Sequence, residues 1–232
     1  MRASEFITET TNEDRAIISL AHSIWEHIQR YNSVTKTVNL GKISKFMSTP
    51  LHALNNINIV LGDEDTMQQE NVGSNADHLT SVQTSGMWIA ENDTILLNLS
   101  NIQDRAMRRT IAHELRHALD DMKSNYAAGS STRYNSPKMN QNSDDSYKSS
   151  NAEINARFSE VLYAMTVYVK NAKEKNIDNP HEYVMDKFHT MMDQKQIYKY
   201  FPEKEKSKLY KRLLKRATDF IAKEMVHIFK ST

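Results

Sequence analysis

Two histidines and a glutamate in the stretch TIAHELRHALDD (110–121) have the residue types and the spacing of a metal site. His113 and His117 are four residues apart, so on an α-helix their imidazoles project from one face, about one turn apart, and can bind the same ion. Glu114 lies on the adjoining face, where its carboxylate can hold a water molecule beside that ion. The chain has no cysteine, so any further ligand must be a histidine or a carboxylate. The alternative interpretation is a charged helix that carries two surface histidines.

The elements around this stretch favour the metal site. Residues 86–100, GMWIAENDTILLNLS, contain two apolar runs that flank a polar turn at 91–93, which is a hairpin pattern. Ser100 or Asn101 can cap a helix that is predicted to run from about residue 102 to residue 123. The predicted order is therefore a strand pair followed directly by the helix with the H-E-x-x-H motif.

A strand pair followed by an H-E-x-x-H helix resembles the zincin metallopeptidases. The longer metzincin signature requires a glycine and a histidine where this chain has Asp120 and Lys123. The resemblance is therefore to the gluzincins, in which a glutamate on a later helix is the third zinc ligand. It implies a bound Zn²⁺, Glu114 as the general base, and an outer strand that pairs with an extended protein or peptide substrate.

The later helix is predicted over residues 149–175, which have an apolar face at helical spacing. Glu153, followed by Ala156-Arg157-Phe158, is similar to the E-x-x-A-(N/R)-x-F stretch of small gluzincins carried by phages and mobile elements. This resemblance makes Glu153 the expected third ligand beside His113 and His117. The alternatives that remain open are Glu160 on nearly the same helix face, Asp144, Asp145 and a more distant histidine.

The residues after the motif resemble a second group of peptidases. His117 followed by Asp120 is similar to the H-E-x-x-H-x-x-D form of lethal-factor-like peptidases. In those enzymes a tyrosine shortly before the third ligand helps to stabilise the oxyanion, which here implies Tyr147, six residues before Glu153. Asp120 and Asp121 are candidates to accept the N–H of a ligand histidine, or they solvate the end of the helix.

The fold class predicted for the whole chain is α+β and mostly helical, with a zincin-like domain at 1–175 and a basic helical C-terminal subdomain, 176–232, packed on it. Residues 120–150 are rich in Ser and Asn and are expected to form a flexible loop beside the cleft. The other predicted elements are a helix at 13–30, an interrupted helix at 42–55, a strand at 57–63, and helices at 181–194 and 204–229.

The charge is unevenly distributed along the chain. Residues 195–232 contain 11 Lys and Arg against 4 Asp and Glu, although the whole chain has a net charge of only +1. We interpret this basic segment as a solvated helix face, with Lys211, Arg212, Lys215 and Arg216 among its charges. A surface for nucleic acid is the less favoured alternative. No signal-peptide pattern and no run of about 18 apolar residues is present, so a cytoplasmic protein without a membrane partner is expected (in the host cytoplasm or virion if phage-encoded).

The function expected from the sequence is zinc-dependent hydrolysis of a peptide bond by a metal-activated water, with Glu114 as the base. Two other classes stay open. One is a zincin-fold structural or virion protein whose metal holds helices together without catalysis. The other is a nucleic-acid-associated factor that uses the basic C-terminal helix.

Overall fold

A computed structural model of the protein describes residues 3–31, 38–39, 49–62, 85–90, 92–98, 104–123, 151–201, 203 and 206–230. The α-helices among these residues are α1 (Ala3–Tyr31), α2 (Asp104–Lys123), α3 (Asn151–Glu174), α4 (Pro180–Gln194) and α5 (Lys208–Lys230). The strands are β1 (Val38–Asn39), β2 (Asn58–Gly62), β3 (Gly86–Ile89) and β4 (Thr94–Asn98), and 3₁₀-helices cover Thr49–Asn56 and Tyr198–Tyr200. The described part of the chain is thus mostly helical with one small sheet, which confirms the α+β prediction at that level.

The strands form one sheet in the order β1-β2-β4-β3. β2 and β4 are parallel, and β3 and β4 are the antiparallel arms of the predicted hairpin. Asp93 completes the turn with a φ of 51°, a left-handed conformation that aspartate tolerates better than most residues. Among the described strands, β3 therefore lies at one edge of the sheet.

The helix α2 forms where the sequence predicts it because its apolar residues recur at helical spacing. Ile111, Leu115, Ala118 and Leu119 are completely buried, so one stripe of α2 is fixed in the core. His113 and His117 lie outside that stripe and are only partly buried. The position of the two imidazoles thus follows from the burial of the apolar stripe.

The C-terminal helices begin at residues that cap them. The Asn179 side chain accepts a hydrogen bond from the Glu182 backbone N–H and donates one to the Glu182 carboxylate, which is a capping arrangement before α4. The Ser207 hydroxyl accepts from the Tyr210 N–H at 3.1 Å. α5 therefore begins at Lys208, four residues later than predicted.

Two other sequence predictions meet the structure only in part. The later part of the predicted 42–55 helix is a 3₁₀-helix, Thr49–Asn56, and residues 42–48 lie outside the described residues. Residues 120–123, the first part of the segment expected to be a loop, form the last turn of α2, and 124–150 lie outside the described residues. No helix in the described part of the chain is long and apolar enough to cross a bilayer.

Contacts divide the chain into two compact units, one formed by Met1–Ile18 with Arg157–Thr232 and the other by Ser19–Ala156. The second unit contains the sheet, α2 and the first residues of α3. In the first unit, Phe158 and Phe188 pack edge to face with ring centroids 6.3 Å apart. The sequence analysis predicts a peptidase domain at 1–175 and a C-terminal subdomain at 176–232. The two contact units do not test that assignment, which stays a prediction.

Candidate metal centre

Three side chains from two helices of the Ser19–Ala156 unit meet at one point. His113 and His117 come from the middle of α2, and Glu153 is the third residue of α3. One ligand atom from each lies within 4.8 Å of the others, so the three residues could hold a metal ion. Glu153 is almost fully buried, and its carboxylate faces the two imidazoles, whose side chains are only 15% and 12% exposed.

The three ligand atoms form a nearly equilateral triangle. The Nε2 atoms of His113 and His117 are 3.1 Å apart. Oε2 of Glu153 lies 3.2 Å from Nε2 of His117 and 3.5 Å from Nε2 of His113. In a tetrahedral zinc site, nitrogen and oxygen ligands about 2.0–2.1 Å from the ion are about 3.3–3.4 Å from one another. The triangle therefore has the dimensions of one face of such a tetrahedron, which leaves the fourth position for a water or a substrate.

Hydrogen bonds alone do not account for all three contacts. Each imidazole Nε2 carries at most one hydrogen, so at most two of the three pairs can be hydrogen-bonded at once. If both imidazoles donate to Glu153, two N–H groups face each other across the 3.1 Å between the nitrogens. One cation bound by three lone pairs satisfies all three atoms, so the residues present fit a metal ion.

The electrostatics keep Glu153 ionised. Burial by itself raises the pKa of the Glu153 carboxyl, but hydrogen bonds with His113 and His117 and their positive charge outweigh it and hold the pKa well below its usual range. Glu153 is therefore an anion in a nearly dry position, which is the state a carboxylate needs in order to bind a cation.

The Glu114 side chain is buried and lies beside the edge strand β3. A Cβ added to Gly86 of β3 would lie 3.3 Å from Cγ of Glu114 and only 2.6 Å from Cγ2 of Thr110. The glycine thus lets the strand approach α2 closely, at the turn that contains Glu114. Glu114 follows His113 directly, so the edge strand lies against the same turn of α2 as one of the candidate metal ligands.

The backbone groups of β3 point alternately toward β4 and toward the outer edge of the described sheet. The Asn98 N–H donates to the Ser85 carbonyl at 3.0 Å, and the register pairs Gly86 with Leu97. Because hydrogen-bonded and non-hydrogen-bonded pairs alternate in an antiparallel ladder, residues 85, 87 and 89 direct their backbone groups toward β4. Gly86 and Trp88 consequently direct their N–H and C=O groups toward the outer edge of the described sheet.

The two aspartates after the motif hold neighbouring elements. The Asp120 carboxylate accepts hydrogen bonds from Arg116, in the same helix, and from the Asn155 amide in α3. Asp121 is buried and accepts from the Trp88 indole N–H at 2.8 Å. These contacts connect α2 with α3 and with the edge strand, a role that the sequence interpretation did not include.

The other residues that the sequence analysis named for the site are not part of the His113–His117–Glu153 group or lie outside the described residues. Glu160 is paired with Lys195 in the other unit, and it is not in the His113–His117–Glu153 group. Along α3 it lies about 10 Å beyond Glu153, since each residue adds about 1.5 Å. Tyr147, the predicted oxyanion donor, and the alternative ligands Asp144 and Asp145 lie outside the described residues.

Gly86, Trp88 and Asn155 contact the helix that carries the motif, but they were not singled out from the sequence. A glycine at the start of a predicted strand is one signal for a close approach of two elements. The polar pairs Trp88–Asp121 and Asn155–Asp120 have no periodic signal, because their members are 33 and 35 residues apart.

In comparisons with known proteins, no family model matches the chain, and no curated protein or solved structure is significantly similar to it.

Proposed function

We propose that the protein is a zinc-dependent peptidase whose metal is held by His113, His117 and Glu153. The observation that carries the proposal is the triangle of two imidazole nitrogens and one carboxylate oxygen, with edges of 3.1, 3.2 and 3.5 Å, directly beside the buried Glu114. Two histidines, one glutamate and an open fourth position are the ligand set of catalytic zinc sites.

Glu114 is the proposed general base. Zinc supplies positive charge that makes a water more acidic and a peptide carbonyl more electrophilic. Glu114 accepts a proton from the attacking water as the new C–O bond forms, and it delivers that proton to the amide nitrogen as the C–N bond breaks. Tyr147 is the proposed donor to the oxyanion, and it stays a prediction because it is outside the described residues.

The edge strand supports an extended peptide as the substrate. Gly86 and Trp88 have outward-facing N–H and C=O groups two residues apart, and an added strand forms its hydrogen bonds at that spacing. Because Gly86 lies against the turn of α2 that contains Glu114, a peptide paired with β3 passes beside the base and the metal ligands. Backbone pairing of this kind does not depend on the substrate's side chains.

A second candidate function is a metal site that only holds helices together. The observation that favours it is that the candidate ligands come from two helices: His117 on α2 and Glu153 on α3 are 36 residues apart. A bound ion would connect these helices. Such a site needs no base next to its ligands. Glu114 therefore separates the two candidates.

The experiment compares wild type with Glu114→Gln for zinc content and for peptide cleavage. The substitution keeps the size of the side chain and removes its basic carboxylate. Both proteins are expected to bind about one Zn²⁺, while loss of general-base catalysis slows cleavage by about 10²- to 10⁴-fold. Glu160→Gln, the same change elsewhere in the chain, is the matched control and should cleave like wild type.

The substrate screen uses peptide libraries, a cell lysate and the termini of the protein itself. Undiminished cleavage by Glu114→Gln contradicts the mechanism. Zinc-loaded wild type that cleaves nothing in this screen favours the structural metal site, and wild type that binds no zinc contradicts both candidates.

A further inference from the structure

The helix hydrogen bonds of α3 do not by themselves fix the position of Glu153. It lies in the first turn of α3, and the first four backbone N–H groups of a helix have no partner within the helix. Helix ends fray for this reason. The preceding 27 residues, 124–150, separate α3 from α2 along the chain. Contacts that α3 makes with α2 therefore contribute to the distance from Glu153 to the two histidines.

Apolar packing and a polar contact both help to hold the first turns of α3. Ile154 and Ala156 are buried, and their apolar packing, which is non-directional, keeps this face of the helix in the core. The hydrogen bond from the Asn155 amide to Oδ2 of Asp120 is 2.6 Å long and directional. It joins the residue two positions after Glu153 to the residue three positions after His117.

Asp120 is itself held in place. Nε of Arg116 donates to Oδ2 of Asp120 at 3.2 Å, and Nη2 of Arg116 lies 3.0 Å from Oδ1. Arg116 is only 6% exposed, so this two-point ion pair has little competition from water. The carboxylate therefore presents a fixed acceptor to Asn155, one turn beyond the second histidine.

We propose that Asp120 and Asn155 are positioning residues that set Glu153 at ligand distance from His113 and His117. Arg116 orients Asp120, and Asp120 fixes the start of α3 through Asn155. The inference rests on the proposed metal site, and it concerns metal affinity and coordination rather than the hydrolytic step. Neither Asp120 nor Asn155 is placed on the metal.

The test is a reversal of the donor and the acceptor. Asn155→Asp places two carboxylates at the 2.6 Å contact, and their repulsion should push the start of α3 away from α2. Adding Asp120→Asn restores a donor opposite an acceptor, leaves an amide oxygen for Arg116, and returns the net charge to that of wild type. Asn155→Ala removes the contact without repulsion. Glu160→Gln, which breaks the Lys195 ion pair on the same helix, is the control.

Zn²⁺ affinity of each variant is measured by competition with a chelator. Asn155→Ala should bind Zn²⁺ about 10- to 100-fold more weakly than wild type, the range found for outer partners of metal ligands. Asn155→Asp should bind more weakly still, and the reversed pair should recover most of the wild-type affinity. Glu160→Gln should bind like wild type. The Co²⁺-substituted proteins should show a changed visible absorption spectrum in the two single variants and a restored spectrum in the reversed pair.

A merely structural role gives a different result. If the contact only stabilises the fold, the unfolding free energies of the metal-free and zinc-loaded forms fall equally, so the stabilisation that zinc adds is unchanged. That outcome, or wild-type affinity in Asn155→Ala, overturns the inference while leaving the proposed peptidase intact. If Asn155→Asp does not fold, the comparison of Asn155→Ala with Glu160→Gln decides. Wild type that binds no Zn²⁺ contradicts the proposed function itself.

Discussion

At the scale of single residues, the proposed site depends most on Glu153, because His113 and His117 already share one face of α2. Its carboxylate stays ionised although it is buried. From the sequence, Glu153 and Glu160 were alternatives because they are seven residues apart on nearly the same face of one helix. Only the tertiary arrangement, in which Glu160 pairs with Lys195, separates them.

This separation can be measured with two matched substitutions. Glu153→Gln removes a charged ligand, so its Zn²⁺ affinity should fall by more than the roughly 10- to 100-fold that the loss of an outer partner costs. Glu160→Gln should keep the wild-type affinity, because Glu160 pairs with Lys195 and is not in the His113–His117–Glu153 group. Zinc content after dialysis, measured by atomic emission, checks both. Equal zinc content in wild type and Glu153→Gln would move the third ligand elsewhere, with Glu160 as the next residue to test.

At the scale of elements, local patterns predicted the parts that surround the site. The alternating runs of the hairpin and the apolar stripes of α2 and α3 are repeated signals within short segments. The contacts between these elements, which are far apart in the sequence, have no repeated pattern that could predict them. The parallel pairing of β2 with β4 and the polar links through Asp120 and Asp121 depend on segments that are distant in sequence.

The contact between β3 and α2 can be tested at Gly86. In Gly86→Ala the new Cβ would lie 2.6 Å from Cγ2 of Thr110, and Thr110 cannot easily turn away because its hydroxyl donates to the Ala106 carbonyl. Overpacking of this kind should cost about 1–3 kcal/mol in unfolding free energy. It should also lower peptide cleavage, since the edge strand must move away from Glu114. Denaturant unfolding and cleavage rates measure the two effects.

The companion variant identifies the cause. Thr110→Ser removes Cγ2 and keeps the hydroxyl, so Gly86→Ala combined with Thr110→Ser should regain much of the lost stability. If the double variant is no more stable than Gly86→Ala, the contact with Cγ2 is not what limits the approach of β3 to α2. Leu97 Cδ2, 3.2 Å from the added Cβ, is then the next atom to consider.

At the scale of the whole molecule, the basic C-terminal segment is not one uniform face. Lys211, Arg212 and Lys215 are exposed, as the sequence interpretation expects. The interpretation was wrong for Arg216, which is buried, pairs with the buried carboxylate of Asp14 and lies over the Phe158 ring. Sequence alone could not identify this arginine, because its neighbours are also basic and Asp14 is 202 residues away.

The two kinds of basic residue should behave in opposite ways when they are changed to glutamine. Arg216→Gln leaves Asp14 as a buried charge without its guanidinium partner, and breaking a buried pair in this way costs about 3–5 kcal/mol. Replacing Lys211, Arg212 and Lys215 together removes three solvated charges, so the unfolding free energy should change by no more than about 0.5 kcal/mol. The triple variant should also cleave peptides at the wild-type rate. Those three residues are exposed and close together on α5, so a nucleic-acid surface on this helix would use them. Binding of DNA or RNA by wild type that weakens steeply with salt and disappears in the folded triple variant would contradict the solvated-face interpretation.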